Sequence, residues 1–149
     1  MVTFQIHSDY HGLFVENDLQ ELARSAVSAS GLEVDGELTV VINNQVFIRD
    51  LNLRYRDVDS STDVLSFPAG YIDPETGKPY HGDIIISFPD ALQQAQAAKH
   101  GIDSELSLLL VHGILHLAGY DHSTPEEQSE MWEIQERILR TNGIKINKS

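Results

Sequence analysis

Alternation of apolar and polar residues along the chain predicts four β-strands. Residues 3–7 and 37–42 alternate with a period of two, the spacing of a strand that buries one face. Residues 62–68 form a short predicted strand that ends at a proline, and residues 83–87 form a more apolar, buried one. We expect these last two strands to pair as a hairpin. The segment 69–82 between them is rich in glycine and proline and is predicted to be a long loop that lines a site.

Helical spacing of apolar residues predicts five helices around these strands. The first should begin at the capping box of Asp18 and Glu21 and end by Gly31, and the second should begin at Asn43 or Asn44 and end at Arg56. The other three are predicted from Ser87-Phe88-Pro89 to near Gly101, over 102–117, and from Thr124-Pro125 onward. We therefore predict an α/β fold with a single domain over residues 1–149, a small mixed sheet of about four strands packed with about five helices.

Two of these helices carry much of the predicted core. Residues 102–117 place apolar side chains around most of the helix circumference, so this helix should be buried. In the last helix the residues predicted to pack inward are Met131, Trp132, Ile134, Ile138 and Leu139. A chain of 149 residues can bury a sufficient core without a metal, so a bound metal would serve chemistry and not folding.

Composition and charge narrow the functional classes. The absence of cysteine excludes disulfides and a thiolate metal site and is compatible with a reducing cytosol. No leader pattern is visible, and no segment approaches the roughly 18 apolar residues of a membrane span, so we expect a cytoplasmic protein without a membrane partner. The formal charge of −13 repels phosphate, which disfavours nonspecific nucleic-acid binding, and we expect no DNA partner.

The chemistry is concentrated in the eleven residues from His112 to His122, which contain three of the seven histidines of the chain. His112 and His116 are four residues apart, so a helix presents both on one face. Gly119 can end that helix in the left-handed conformation and turn His122 toward the same point. A histidine pair alone could be two half-buried, hydrogen-bonded residues, but three nitrogen donors with a fourth position left to water suit one catalytic zinc ion. The sequence therefore predicts zinc at the end of the buried helix.

The spacing of these histidines reproduces the ligands of the His-Glu-x-x-His-x-x-Gly-x-x-His zinc motif, with one departure. Gly113 occupies the position of the glutamate that acts as general base in peptide hydrolysis. A peptide metallohydrolase is therefore disfavoured. No general base is assigned, because the acids that could contribute, Asp63, Asp83 and Asp121, could equally cap or orient other groups. His81 is interpreted as a surface histidine at the end of the loop and not as a fourth ligand.

Several motifs resemble the YbeY family of bacterial rRNA maturation factors, which are single-strand-preferring endoribonucleases that bind zinc. The segment from His112 to His122 looks like the signature of that family. Leu51-Asn52, Tyr55-Arg56, the run 62–68 and Gly82-Asp83-Ile84 resemble its other motifs, and the similarity spans roughly residues 46–138 in the expected order. Asp57 and Val58 depart from the glycine and lysine that often follow the arginine in the family.

The resemblance implies a zinc site at His112, His116 and His122, a catalytic arginine at Arg56, and a small mixed sheet with helices. It also implies work in ribosomal RNA maturation and ribosome quality control, with single-stranded ribosomal RNA, the small ribosomal subunit and its assembly factors as partners. Arg56 suits this chemistry, because a guanidinium can direct two donors at a phosphate. Two alternatives stay open: a non-enzymatic ribosome-assembly factor with a structural zinc, and a cytosolic metallohydrolase of peptides.

Overall fold

Four strands form one mixed sheet in the computed structural model, which describes residues 1–146. They are β1 (Val2–Ile6), β2 (Glu37–Asn43), β3 (Val64–Ile72) and β4 (Pro79–Ser87). The order is β1-β2-β4-β3. β1, β2 and β4 are parallel, and β3 pairs with β4 as an antiparallel hairpin. The predictions of a small mixed sheet and of a hairpin at its end are confirmed.

Five α-helices surround the sheet, as predicted. They are α1 (Glu16–Ser30), α2 (Gln45–Arg56), α3 (Phe88–Ala98), α4 (Ile102–Leu117) and α5 (Pro125–Thr141), with a short 3-10 helix at Ser8–Tyr10. Three predicted N-caps are present, because the side chains of Asn44, Ser87 and Thr124 each accept a hydrogen bond from a backbone N–H in the first turn. Local sequence signals therefore determined where α2, α3 and α5 begin.

The predicted start of α1 is wrong. The helix begins at Glu16, and its N-cap Val15 makes no side-chain cap. The backbone N–H of Val15 instead donates to the carboxylate of Asp103 in the first turn of α4, at 2.9 Å. A tertiary contact replaces the expected capping box, and Asp18 lies inside the first turn, where a negative charge is favourable for the helix dipole.

The predicted loop over 69–82 is also wrong. β3 continues to Ile72 and β4 begins at Pro79, which leaves only a short turn closed by a hydrogen bond from the Asp73 N–H to the Lys78 carbonyl at 2.8 Å. The sheet tolerates Pro68 because β3 is an edge strand, and the pairing is irregular between Pro68 and Tyr71. The segment is therefore a two-stranded ribbon.

Each face of the sheet has its own hydrophobic core. Ile84 and Ile86 point into the larger core, which α1, α3, α4 and α5 cover. Ile85, between them, points to the opposite face and packs with Leu65 and Ile48, the latter from α2. The most enclosed residues of α4 are Leu106, Leu110, Val111, Ile114 and Leu115, each 0% exposed. The prediction of a buried helix is confirmed, and α4 gives the histidines it carries a rigid support.

Two side chains differ from their predicted environments. His81 is only 9% exposed, and its Nε2 lies 2.9 Å from the carbonyl of Glu33, so it is not a surface histidine. Trp132 is only partly buried and borders a cavity, whereas Met131 beside it is in the core. Within residues 1–146, no helix is long and apolar enough to cross a membrane.

Candidate metal centre

His112 and His116 lie one helical turn apart near the C-terminus of α4. Their Nε2 atoms are 3.0 Å apart, and their ring centroids are 4.5 Å apart. Both side chains are partly buried, because the rest of the helix is packed into the core. The i, i+4 spacing therefore brings two nitrogen donors to one point, as predicted.

The chain turns sharply after α4 through a Schellman motif. The N–H of Gly119 donates to the carbonyl of His116, and the N–H of Tyr120 donates to the carbonyl of Leu115, both at 3.0 Å. Gly119 has φ +97°, a conformation that a side chain would strain. The predicted role of Gly119 is confirmed, and this turn brings the chain back toward the histidine pair.

His122 completes the cluster from an exposed loop. Its ring centroid lies 5.7 Å from that of His112 and 5.0 Å from that of His116. The Asp121 carboxylate accepts the N–H of His122 at 2.7 Å, and the Gln128 amide donates to the carbonyl of His122 at 2.9 Å. Asp121 thus holds the backbone of the loop, and hydrogen bonds from Ser123 and from the N–H of His122 lower its pKa. One ligand atom from each of the three histidines lies within 4.8 Å of the others.

Gln135 of α5 orients His112 from behind. Its Oε1 lies 2.7 Å from Nδ1 of His112, so the ring donates through Nδ1 and leaves the Nε2 lone pair for a metal. Burial lowers the pKa of His112, with the hydrogen bond to Gln135 acting in the opposite direction. Burial, and then the neighbouring charges of His112 and His122, lower the pKa of His116. Both effects favour the neutral imidazole that binds a metal.

The donor set fits zinc. Zn–N bonds of about 2.0–2.1 Å in a tetrahedron place two nitrogen ligands about 3.3 Å apart. The 3.0 Å separation of the two Nε2 atoms on α4 is close to that value. In residues 1–146 these three histidines are the only group of histidine and carboxylate side chains close enough to hold a metal. The cluster could therefore bind one ion and leave a coordination position open.

Arg56 lines the same cleft as the three histidines. The cleft has a volume of about 440 Å³, and the first residues of β3 also line it. The neighbouring arginines are neutralised, because Arg49 pairs with Asp59 and Arg54 pairs with Asp50, each at 2.7 Å. Arg56 has no ion pair within the described part of the chain. The structure therefore distinguishes Arg56 from the two arginines that already have a carboxylate partner.

The residue after Arg56 ends α2 in the left-handed conformation. Asp57 has φ 58°, and its N–H donates to the carbonyls of Asn52 and Leu53. Aspartate is among the few residues other than glycine that adopt this conformation readily. The side chain of Asn52 donates to the carbonyl of Ser60 at 2.9 Å and ties down the connection to β3. Replacement of the expected glycine by Asp57 therefore preserves the helix end that positions Arg56.

Gly113 packs directly against the sheet. A Cβ atom added to it would lie 2.7 Å from Cγ2 of Ile84 in β4. Position 113 therefore has no room for the glutamate that the protease motif carries. This contact gives a steric reason for the departure seen in the sequence and counts against peptide hydrolysis by the same mechanism.

Sequence reasoning assigned no role to Asp63 and missed Gln135. Asp63 lines the cleft, and its Oδ1 accepts the N–H of Val64 at 2.8 Å. Gln135 faces inward from a helix whose other inward residues are apolar, and this single polar residue was the signal available in the sequence. Asp83 instead accepts a hydrogen bond from the Tyr80 hydroxyl, and burial followed by this bond raises the Tyr80 pKa to about 12.

The fold and the three converging imidazoles define a class, a small α/β protein with a three-histidine centre suited to a metal ion. A family model described as Endoribonuclease YbeY matches residues 5–143. The chain belongs to this family. The resemblance inferred from the motifs is confirmed, and the match extends to the N-terminal part of the chain.

Similar proteins support this assignment over most of the chain. Endoribonuclease YbeY of Brevibacillus brevis is 41% identical over 144 residues, which cover 87% of this chain and 91% of that protein. Endoribonuclease YbeY of Heliobacterium modesticaldum is 41% identical over 137 residues, covering 85% of this chain and 82% of that protein. A solution structure from Thermotoga maritima has a TM-score of 0.68 and 27% identity, and covers 95% of this chain and 89% of that one.

Proposed function

We propose that this protein is a zinc-dependent endoribonuclease that prefers single-stranded RNA and acts in ribosomal RNA maturation and ribosome quality control. Membership of a family whose curated relatives are named endoribonucleases supports the reaction class. The observation that carries the proposal is the shared cleft, which is lined by three converging imidazoles and by Arg56, an arginine that forms no ion pair within residues 1–146. Cleavage of a phosphodiester needs positive charge at the phosphate, and Arg56 together with a metal ion held by the three histidines would supply it in an otherwise acidic protein.

The residues in and behind the cleft have different proposed roles. The imidazoles of His112, His116 and His122 would hold the ion, and Gln135 would keep His112 in the required tautomer. A bound zinc ion would supply Lewis-acid chemistry, which polarises a phosphoryl oxygen and activates water. Arg56 would direct its guanidinium fork at the nonbridging oxygens and bind the charge that develops on them.

Two alternatives are less well supported. A structural zinc in a non-enzymatic assembly factor calls for a closed set of four protein ligands, whereas the cluster found within residues 1–146 offers three. A peptide metallohydrolase calls for a general base at position 113, where Ile84 leaves no space. An open coordination position beside an arginine favours the nuclease.

The acidic balance limits how the substrate is bound. At a formal charge of −13, phosphate contacts alone give weak binding, so we propose that specificity comes from the small ribosomal subunit, its assembly factors or accessible single-stranded ribosomal RNA. Duplex RNA presents a rigid surface that calls for many phosphate contacts. A cytoplasmic location is part of this proposal.

A nuclease assay with purified, metal-stripped protein tests the proposal. Addition of one equivalent of zinc should restore cleavage of a single-stranded RNA, and a duplex of the same sequence should be cleaved much more slowly. With about two to four cationic contacts, log binding of the single strand should fall with log salt at a slope of roughly −1.5 to −3. Full activity without metal, equal cleavage of duplex RNA, or a much steeper slope would contradict it.

A further inference from the structure

A second cavity adjoins the metal cleft. It has a volume of about 540 Å³ and lies between α3, α4, α5 and the start of β3. It shares Asp63, Val64 and His112 with the cleft, so the two spaces meet at the metal centre. Its size lies within the range of roughly 300–1,000 Å³ typical of small-molecule sites. A ligand held at the metal can therefore extend into this cavity.

The lining of the cavity suits a flat, uncharged ring. Leu108, Leu109 and Val64 give it apolar walls, and the indole of Trp132 borders it. Its carboxylates are those of Asp63 and Glu105, and Nε2 of His100 lies 2.7 Å from Oε1 of Glu105, with the two side chains 7% and 5% exposed. Of the described residues that line it, none is a lysine or arginine, so phosphate is disfavoured there.

Gln135 gives the cavity a buried polar group with unused hydrogen-bonding capacity. The residue is 4% exposed, and its Oε1 is occupied by Nδ1 of His112. Within residues 1–146, His112 is the only hydrogen-bond partner of this side chain, which leaves both N–H groups of the amide available. Because Gln135 lines the cavity, a ligand atom held there can accept a hydrogen bond from this amide.

Building on the function proposed above, we propose that this cavity is a subsite for one nucleobase, that of the nucleotide next to the phosphodiester that is cleaved. The base lies between the apolar walls and Trp132, and a ring nitrogen or carbonyl oxygen of the base accepts from the Gln135 amide. Gln135 also positions His112, so a base that binds the Gln135 amide would help to hold the His112 ring in its orientation.

This subsite explains a preference for single strands without a basic surface. A base can enter the cavity only when it is unpaired and unstacked, which a single strand permits and a duplex resists. Burial of the base also supplies binding energy that an acidic protein cannot obtain from phosphate contacts. The preference for single strands therefore follows from the cavity shape.

Substrates that lack one base provide the first test. A short single-stranded RNA with a mapped cleavage position is prepared as a series, each member carrying one abasic nucleotide. Cleavage by the zinc-loaded protein should fall about ten-fold when the abasic nucleotide is next to the cleaved bond on one side, and little when it is elsewhere. Equal effects at all positions would overturn the subsite.

A cavity-filling variant provides the second test. Ala97 on α3 is exposed at the rim of the cavity, so Ala97→Phe should fill the space while zinc content and melting temperature stay unchanged. The matched control is Gln96→Phe, an exposed neighbour that does not line the cavity. Ala97→Phe should raise KM for the intact RNA about ten-fold and have no further effect on the sensitive abasic RNA. Equal effects on both RNAs would contradict the proposal.

Fluorescence of Trp132, the single tryptophan of the chain, separates this proposal from the nuclease function. Adenosine and uridine, tested as free nucleosides, should change its emission in the wild type and in Gln96→Phe but not in Ala97→Phe. If no RNA is cleaved, the nuclease proposal fails, and this titration still decides the subsite. No response to either nucleoside, or an equal response to benzyl alcohol as a mimic of an aromatic side chain, would overturn it.

Discussion

The cleft has two walls that are built in different ways. The histidine wall consists of His112 and His116 on α4 with Gln135 behind them, and it rests on a helix whose core residues are inaccessible to solvent. The arginine wall consists of Arg56 at the exposed C-terminal end of α2, where Asp57 ends the helix. The helix that carries Arg56 packs on the smaller hydrophobic cluster around Ile48.

The two walls differ in how precisely they hold their functional groups: the histidines are fixed by a packed helix, whereas the arginine can move. A metal site needs donors held within a few tenths of an ångström, and the packed α4 provides that precision. A guanidinium that meets a flexible phosphate backbone tolerates more movement, and its exposure keeps desolvation of the charge small. Changes to the histidine wall should therefore affect metal binding and folding, whereas changes to the arginine wall should affect catalysis alone.

Removal of two metal ligands should have the largest effect. We expect the double variant His116→Ala, His122→Ala to lose its zinc and to cleave RNA at least about 100-fold more slowly, because one imidazole cannot hold the ion. Elemental analysis and a cleavage assay measure the two losses. His11→Ala, an exposed histidine outside the cluster, is the control and should keep both. Full zinc occupancy in the double variant would remove these residues from the site.

Overpacking behind the histidine wall should lower stability. Gly113→Ala places a methyl group 2.7 Å from Cγ2 of Ile84, and we expect a loss of about 1–3 kcal/mol in the free energy of unfolding. Thermal unfolding should show a melting temperature lower by several degrees. The control is Gly101→Ala, because a Cβ there meets open space. Equal melting temperatures for both variants would show that α4 moves freely against the sheet.

A change in the arginine wall should leave the fold intact. Arg56→Lys keeps the charge but loses the planar fork, so cleavage should fall at least several-fold while the melting temperature and zinc content stay unchanged. Arg54→Lys, at a residue already paired with Asp50, is the matched control and should cleave normally. If Arg56→Lys is as active as the wild type, Arg56 has no part in the reaction.

Acidification should lower the stability of the metal-stripped protein through the histidine wall, and this is the smallest of the expected effects. Burial lowers the pKa of His112 and His116 in the folded protein, whereas histidines in the unfolded chain have a pKa of about 6.5. As pH falls below about 6.5, the unfolded state binds more protons, so the metal-stripped protein should lose stability until the lowered folded pKa values are passed.

Melting temperatures of metal-stripped wild type and metal-stripped His112→Gln, His116→Gln isolate this effect. The wild type should lose more stability than the variant between pH 7 and pH 5.5, since both share their other titrating groups. Parallel curves would show that these two imidazoles do not carry the pH dependence. Zinc binding by the wild type should weaken over the same pH range, because protons compete for the same nitrogen atoms.

Much of the fold was predictable because its signals are local. Apolar periodicity located the strands and helices, and capping side chains placed the starts of α2, α3 and α5. The errors occurred where a distant contact replaced a local one. Asp103 of α4 caps α1 from 88 residues away, and pairing with β4 extends β3 past Pro68 into a segment that looked like a loop.

In the candidate site, too, the features set by local sequence were predictable and those set by distant contacts were not. Spacing on a helix and a glycine turn are local geometry, so the sequence alone determined that His112, His116 and His122 converge. Only the tertiary structure brought Gln135 to His112 across 23 residues and left Arg56 without the partners that neutralise Arg49 and Arg54. It also placed Trp132 at a cavity beside the histidine cluster. These features depend on how helices pack over the sheet, and the hydrophobic pattern of one helix does not specify which residue of another helix it meets.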